Sequence, residues 1–181
     1  SNDPPLAFKY LEKGLKLASK EKDDVALARF LTTKGVLHKN LTEFDKALAC
    51  YQKAIKIYDR LGDKNGQAKC YGNIGILYKE MQDFKNTLLY FEKAHELFVE
   101  IDDKRAMTAS YSNIALLYHD QKQFDKAEKY LDKALEVSVE MKNPFGIIIC
   151  KQNLGRLYIG QERYQKAYAI AKNALTTKMW T

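Results

Sequence analysis

The sequence predicts an all-α chain built as a solenoid of antiparallel helix pairs. Three observations carry this. The first is self-similarity: Gly35, Gly75, Ala115 and Gly155 follow one another every forty residues. His38, Tyr78, Tyr118 and Tyr158 stand three places after them, and Phe44, Phe84, Phe124 and Tyr164 nine places after. A fixed period of this size without insertions is the mark of a repeat architecture. The second is spacing. Leu77, Tyr78, Phe84, Leu88, Phe91, Ala94 and Leu97 fall near steps of three and four, an apolar stripe on a helix, and strand-like alternation is missing. The third is the brevity of the polar breaks, such as Met81–Asp83 and Gln121–Gln123, which connect only antiparallel neighbours.

Nine helices are expected, in order. The first, over 5–20, aligns with the second helix of a later pair, because Ala7 matches Ala47 and Gly14 matches Ala54. It makes 5–23 a half repeat. Four full repeats follow as 24–63, 64–103, 104–143 and 144–181, giving a single array over 1–181. Their helices are expected over 24–40 and 44–61, 65–81 and 84–101, 104–121 and 124–141, and 144–160 and 164–179. Pro144 stands at a helix start, where proline is tolerated best. The pair Asp102 and Asp103 falls at a turn, where Asp starts helices. Two helices approach closely only over a small side chain, so Gly75 and Thr87 are expected to share one crossing, with Ala94 admitting the following pair. A pair alone leaves apolar faces open, so neighbours stack.

Composition excludes several classes. With 46% apolar and 29% charged residues and three prolines, the chain is neither disordered nor collagenous. No run approaches the ~18 apolar residues of a membrane span. The polar, proline-bearing start does not resemble a signal peptide, and Ser1 and Asn2 read as a tag scar. Three cysteines argue against a disulfide framework and for a reducing compartment, hence a cytoplasmic location, with a soluble extracytoplasmic sensor segment as the alternative. Cys70 and Cys150 share one position two repeats apart, too far for a disulfide. They and Cys50 read as small buried residues. His38, His95 and His119 lack metal-ligand spacing, and no phosphate loop or nucleophile elbow occurs, so no cofactor, metal or catalysis is expected. The net charge of +7 is uneven: from Pro144 on, six basic residues face Glu162 alone. That pattern suggests a local basic surface and not a nucleic-acid binder.

The run Asn73-Ile-Gly-Ile-Leu-Tyr78 recurs as Asn113-Ile-Ala-Leu-Leu-Tyr118 and Asn153-Leu-Gly-Arg-Leu-Tyr158. With the Phe, Ala and aromatic positions that follow, this resembles the tetratricopeptide repeat (TPR). The usual TPR has about 34 residues. The longer period is similar to the long-helix subclass of kinesin light chain, Rap-type regulators and spindle-polarity adaptors. The resemblance implies a right-handed superhelix whose concave wall is built from first helices. It also implies non-catalytic binding of peptides or partner proteins, with asparagines at this first-helix position touching the peptide backbone. Lys34 stands for the usual leucine in the first repeat and Ala171 for the usual aromatic in the last, so those two pairs are expected to pack less tightly. Phosphatase stimulation of the Rap type would need a further helical bundle before the array.

Asn73, Asn113 and Asn153 are the leading candidate site residues. Asparagine is a mediocre helix-interior residue, and three stand in register. An amide both donates and accepts. Helices pack at roughly 10 Å, which about three extended residues span, so a ladder of amides could bond a ligand backbone at each repeat. The alternative is that each Asn bonds a neighbouring helix and sets repeat geometry. Thr33 replaces it in the first repeat. Arg29, Lys39, Lys69, Lys79, His119 and Arg156 against Glu80 and Asp120 would make the wall net positive, favouring an acidic peptide or a free carboxylate. The alternative is an ordinary solvated face. Val36, Ile76 and Leu116 would offer apolar pockets or serve as packing, and Arg156 takes their place in the last repeat.

The function these readings support is a protein-protein interaction module binding an extended peptide or partner in the groove. The alternative is a sensor or regulatory segment of a larger signalling protein, such as a histidine kinase or transcription regulator, that self-associates or controls an attached domain. Exposure of Leu175, Met179 and Trp180 on the last helix would serve self-association. Neither nucleic acid nor membrane is expected as a partner.

Overall fold

The computed structural model describes the backbone of residues 4–177 and the side chains of 5–174. Among the described residues there are nine helices and no strand: α1 (Pro4–Lys20), α2 (Asp24–Asn40), α3 (Phe44–Leu61), α4 (Lys64–Glu80), α5 (Phe84–Glu100), α6 (Lys104–Asp120), α7 (Phe124–Glu140), α8 (Pro144–Gly160) and α9 (Tyr164–Thr177). Each begins within one residue of its expected start. The expected exposure of Leu175, Met179 and Trp180 concerns side chains outside the described ones. No described helix is long and apolar enough to cross a membrane.

The turns explain the constant period. Lys22, Thr42, Gly62, Gln82, Asp102, Lys122, Lys142 and Glu162, twenty residues apart, all have positive φ between 50° and 66°. After each, a backbone N–H returns to a carbonyl five residues back, as Asp63 does to Tyr58 at 2.9 Å. This is the left-handed C-terminal cap of a helix. The next residue then starts the following helix. Asp23, Asp63, Asp103 and Asn143 accept from the N–H groups of Ala26, Gly66, Ala106 and Gly146 at 2.8–3.2 Å. Only Asp103 of the acidic pair is therefore a helix start. Asp102 occupies the left-handed position, which Asp tolerates better than most residues.

The chain divides into two compact units, Ser1–Leu97 and Phe98–Thr181. In the first, glycines seat aromatic rings. A Cβ on Gly35 would meet Tyr51 at 2.5 Å, on Gly66 Tyr58 at 2.4 Å, and on Gly75 Phe91 at 2.4 Å. The partner of Gly75 is thus Phe91 and not Thr87. Thr87 is buried and donates its hydroxyl to the Asp83 carbonyl at 2.7 Å. The first pair is not loose at its crossing either: Tyr51 closes over Gly35, and Lys34 pairs with Glu12 of α1. Tyr51, Ile74 and Leu77 anchor the core of this unit.

In the second unit Ile114, Ala115, Leu117, Leu131, Leu154 and Leu157 are buried. Tyr158 donates to Glu128 at 2.8 Å, and Arg163 reaches the other oxygen of that carboxylate at 2.8 Å. Burial first, then the bond to Glu128, pushes the Tyr158 hydroxyl up to about 12. The last pair is loose, as Ala171 suggests: a Cβ on Gly155 would touch only Ile170 Cγ2, at 3.9 Å. All three cysteines are free and buried, with Cys70 Sγ 3.4 Å from Thr32 Oγ1 and Cys150 Sγ 3.7 Å from Ser138 Oγ. Burial pushes each thiol up from its ordinary value.

Candidate peptide-binding surface

Within the second unit, α6 and α8 flank a pocket of about 200 Å³. Its floor is Ala115, Leu131 and Leu157, all buried. Asn113, Leu116, His119, Asn153 and Arg156 stand around it. Four of the expected site residues, Asn113, Asn153, Leu116 and Arg156, therefore meet at one place. Period-three and period-four spacing puts 113, 116 and 119 on one face of α6, and the forty-residue register puts 153 and 156 on the matching face of α8.

Asn113 is exposed and Asn153 half-buried. Among the described residues neither amide donates or accepts a hydrogen bond, nor does that of Asn73. The bonds to a neighbouring helix that would make these asparagines spacers are not seen there. Leu116 is 48% exposed beside them. His119 Nδ1 is buried without a hydrogen-bond partner, 3.6 Å from Asp120, and its ring stands edge-on to Phe124.

The other expected residues lie on α2 and α4 in the first unit. Asn73 is half-buried, and Ile76, three residues on, is 38% exposed. Arg29 and Lys69 are exposed and Lys79 half-buried. Lys39 donates to Glu80 at 2.9 Å, so these two charges offset each other. Val36 packs on the cluster of Ala47, Tyr51, Ile74 and Leu77, which favours its packing role.

Sequence reasoning missed a stripe on α8. Phe145, Ile149 and Ile159 are 77%, 54% and 57% exposed, with Arg156 in the same row. The available signal was α8 itself, PFGIIICKQNLGRLYIG, whose many apolar residues are spread around the helix and not confined to one stripe. Such a helix is ordinarily buried all round, and here one side is open. Among the described residues no cluster of His, Cys, Asp or Glu is fit to hold a metal.

Antiparallel helix pairs with a forty-residue register and an open first-helix face of amides and apolar side chains define a helical-repeat protein. The tetratricopeptide repeat family model matches residues 26–100 and 106–178, and the chain belongs to that family. No curated protein sequence matches it. Among solved structures it is similar to BtubC (BKLC) from P. vanneervenii, with 22% identity and a TM-score of 0.83 over 98% of this chain and 74% of that one. It is also similar to aspartyl phosphate phosphatase F from Bacillus subtilis, at 16% identity and a TM-score of 0.84, covering 96% of this chain and 45% of that one. A Rap protein complexed with Competence and Sporulation Factor matches at 15% identity and a TM-score of 0.70, over 98% of this chain and 59% of that one. At these identities the likeness establishes the fold alone.

Proposed function

We propose that the chain is a non-catalytic module that holds an extended peptide, or an extended segment of a partner protein, on the face formed by α6 and α8. The observation that carries this reading is the pocket where the unbonded amides of Asn113 and Asn153 meet Leu116 and Arg156. Each amide can accept from a peptide N–H and donate to its C=O. The apolar floor takes a ligand side chain, and Arg156 favours a carboxylate nearby. Asn73, Ile76, Arg29, Lys69 and Lys79 offer the same chemistry on the first unit, with Lys39 tied to Glu80. A net positive face favours acidic ligands and makes binding salt-sensitive. Three free thiols suit a reducing, cytoplasmic setting. The test is side-chain amide NMR during titration with peptides selected from a random library. The Asn113 and Asn153 NH₂ signals should shift on binding; signals that stay in place while a peptide binds would refute the assignment.

A second reading is a regulatory segment of a larger signalling protein, favoured by the likeness to phosphatase F, of which the chain spans 45%. Its self-associating form predicts a mass in light scattering that rises with concentration above 20.9 kDa. A constant 20.9 kDa removes that form.

A further inference from the structure

We infer, on the peptide-binding reading above, that Tyr51 and Gly160 decide which opening between successive first helices admits a ligand side chain. A bound peptide is then anchored through one aliphatic residue, between α6 and α8. In the repeat register, the opening between α6 and α8 in the second unit corresponds to that between α2 and α4 in the first, two repeats earlier. Asn113, Leu116 and Leu131 answer to Thr33, Val36 and Tyr51. Asn153, Arg156 and Leu157 answer to Asn73, Ile76 and Leu77.

The floors differ by one matched pair of residues. In the first unit Gly35 seats the ring of Tyr51, which a Cβ on the glycine would approach to 2.5 Å, and the ring is wholly buried. In the second unit the pair is Ala115 and Leu131. Ala115 carries the methyl that a ring at position 131 would strike, and the shorter leucine floors the pocket of about 200 Å³. Above the floor, Val36 packs onto the cluster around Tyr51, while its counterpart Leu116 is exposed at the pocket's rim. In close-packed protein the larger ring fills space that the leucine leaves open.

The ends of the two openings differ as well. Between α2 and α4, Lys39 donates to Glu80 at 2.9 Å and bridges the two helices. The counterparts of this pair are His119 and Gly160. Gly160 has no side chain to reach across, and the point its Cβ would take lies 3.7 Å from His119 Nε2. That end of the α6 and α8 opening therefore lacks the bridge, and Arg156 stands exposed beside the pocket. The contents suit one kind of residue. An aliphatic side chain rests on Ala115, Leu131 and Leu157, and a carboxylate nearby meets Arg156.

The probe is 4-methylpentanoate, a leucine side chain joined to a carboxylate, titrated into the full chain and followed by side-chain amide NMR. In wild type the Asn113 and Asn153 NH₂ signals should shift while that of Asn73 stays in place. Gly160→Glu puts a carboxylate against His119 and one turn after Arg156, in the ligand's place, and should weaken binding at least tenfold. Gly160 is exposed, so this substitution leaves the core intact. Tyr51→Leu/Glu80→Ala opens the first unit's counterpart, and Asn73 should then shift with the probe. Three results would overturn the inference: no response at Asn113 and Asn153, an equal response at Asn73 in wild type, or wild-type affinity in Gly160→Glu. A folded Tyr51→Leu/Glu80→Ala whose Asn73 signal stays in place would overturn the role of Tyr51. In each of these cases a library-selected peptide that still shifts Asn113 and Asn153 leaves the peptide-binding reading standing.

Discussion

Gly75 lies beneath the ring of Phe91, so close that a Cβ on Gly75 would come within 2.4 Å of Phe91 Cδ1. The same contact recurs between Gly35 and Tyr51. The rings are buried, so neither can swing into water. Gly75→Ala should therefore destabilise the first unit by about 1–3 kcal/mol through overpacking, despite the better helix propensity of alanine. Gly155→Ala meets open space and should stabilise by about 0.5–1 kcal/mol. Denaturant unfolding of the two variants checks the opposite signs.

That crossing also marks where the sequence misled. Spacing alone paired Gly75 with Thr87. Long helical side chains lean toward the helix N-terminus, so Phe91, one turn later, covers the glycine while Thr87 turns to its own backbone. The helix bounds were legible because each break repeats every twenty residues. The asparagine positions were legible because three repeats share them. Phe145, Ile149 and Ile159 were not, since no other repeat shares that apolar row. The offset between Lys39 and Glu80, forty-one residues apart, cannot be found by counting charges along single helices.

The left-handed turns predict a stabilising substitution. Thr42 is β-branched and sits at φ 59°, a conformation costing an L-residue roughly 1–2 kcal/mol. Thr42→Gly should raise stability by about 1 kcal/mol, seen as a higher denaturation midpoint. Gly62→Ala, at φ 66°, should lower it by a similar amount.

The Glu128 cluster predicts a pH dependence. Burial alone would raise this carboxyl, but the bonds from Tyr158 and Arg163 and the Lys166 charge outweigh it and hold the group below its ordinary 4.5. A depressed carboxyl contributes stability above its unfolded value and loses it as pH falls through the folded one. Wild type should thus lose this contribution below about pH 4.5. Glu128→Gln should be less stable at pH 7 and change less between pH 6 and 3. Parallel thermal melts across that range test the sign.

The central claim, that the asparagine face binds peptide, is tested most directly by comparing stability with affinity in Asn113→Ala/Asn153→Ala. Alanine is the better helix former, and neither amide has a bond to lose among the described residues. The account predicts a melting temperature equal to or above wild type, with affinity for a library-selected peptide reduced about tenfold or more, as the loss of hydrogen bonds worth about 1 kcal/mol each requires. A lowered melting temperature with unchanged affinity would contradict it and make the asparagines structural.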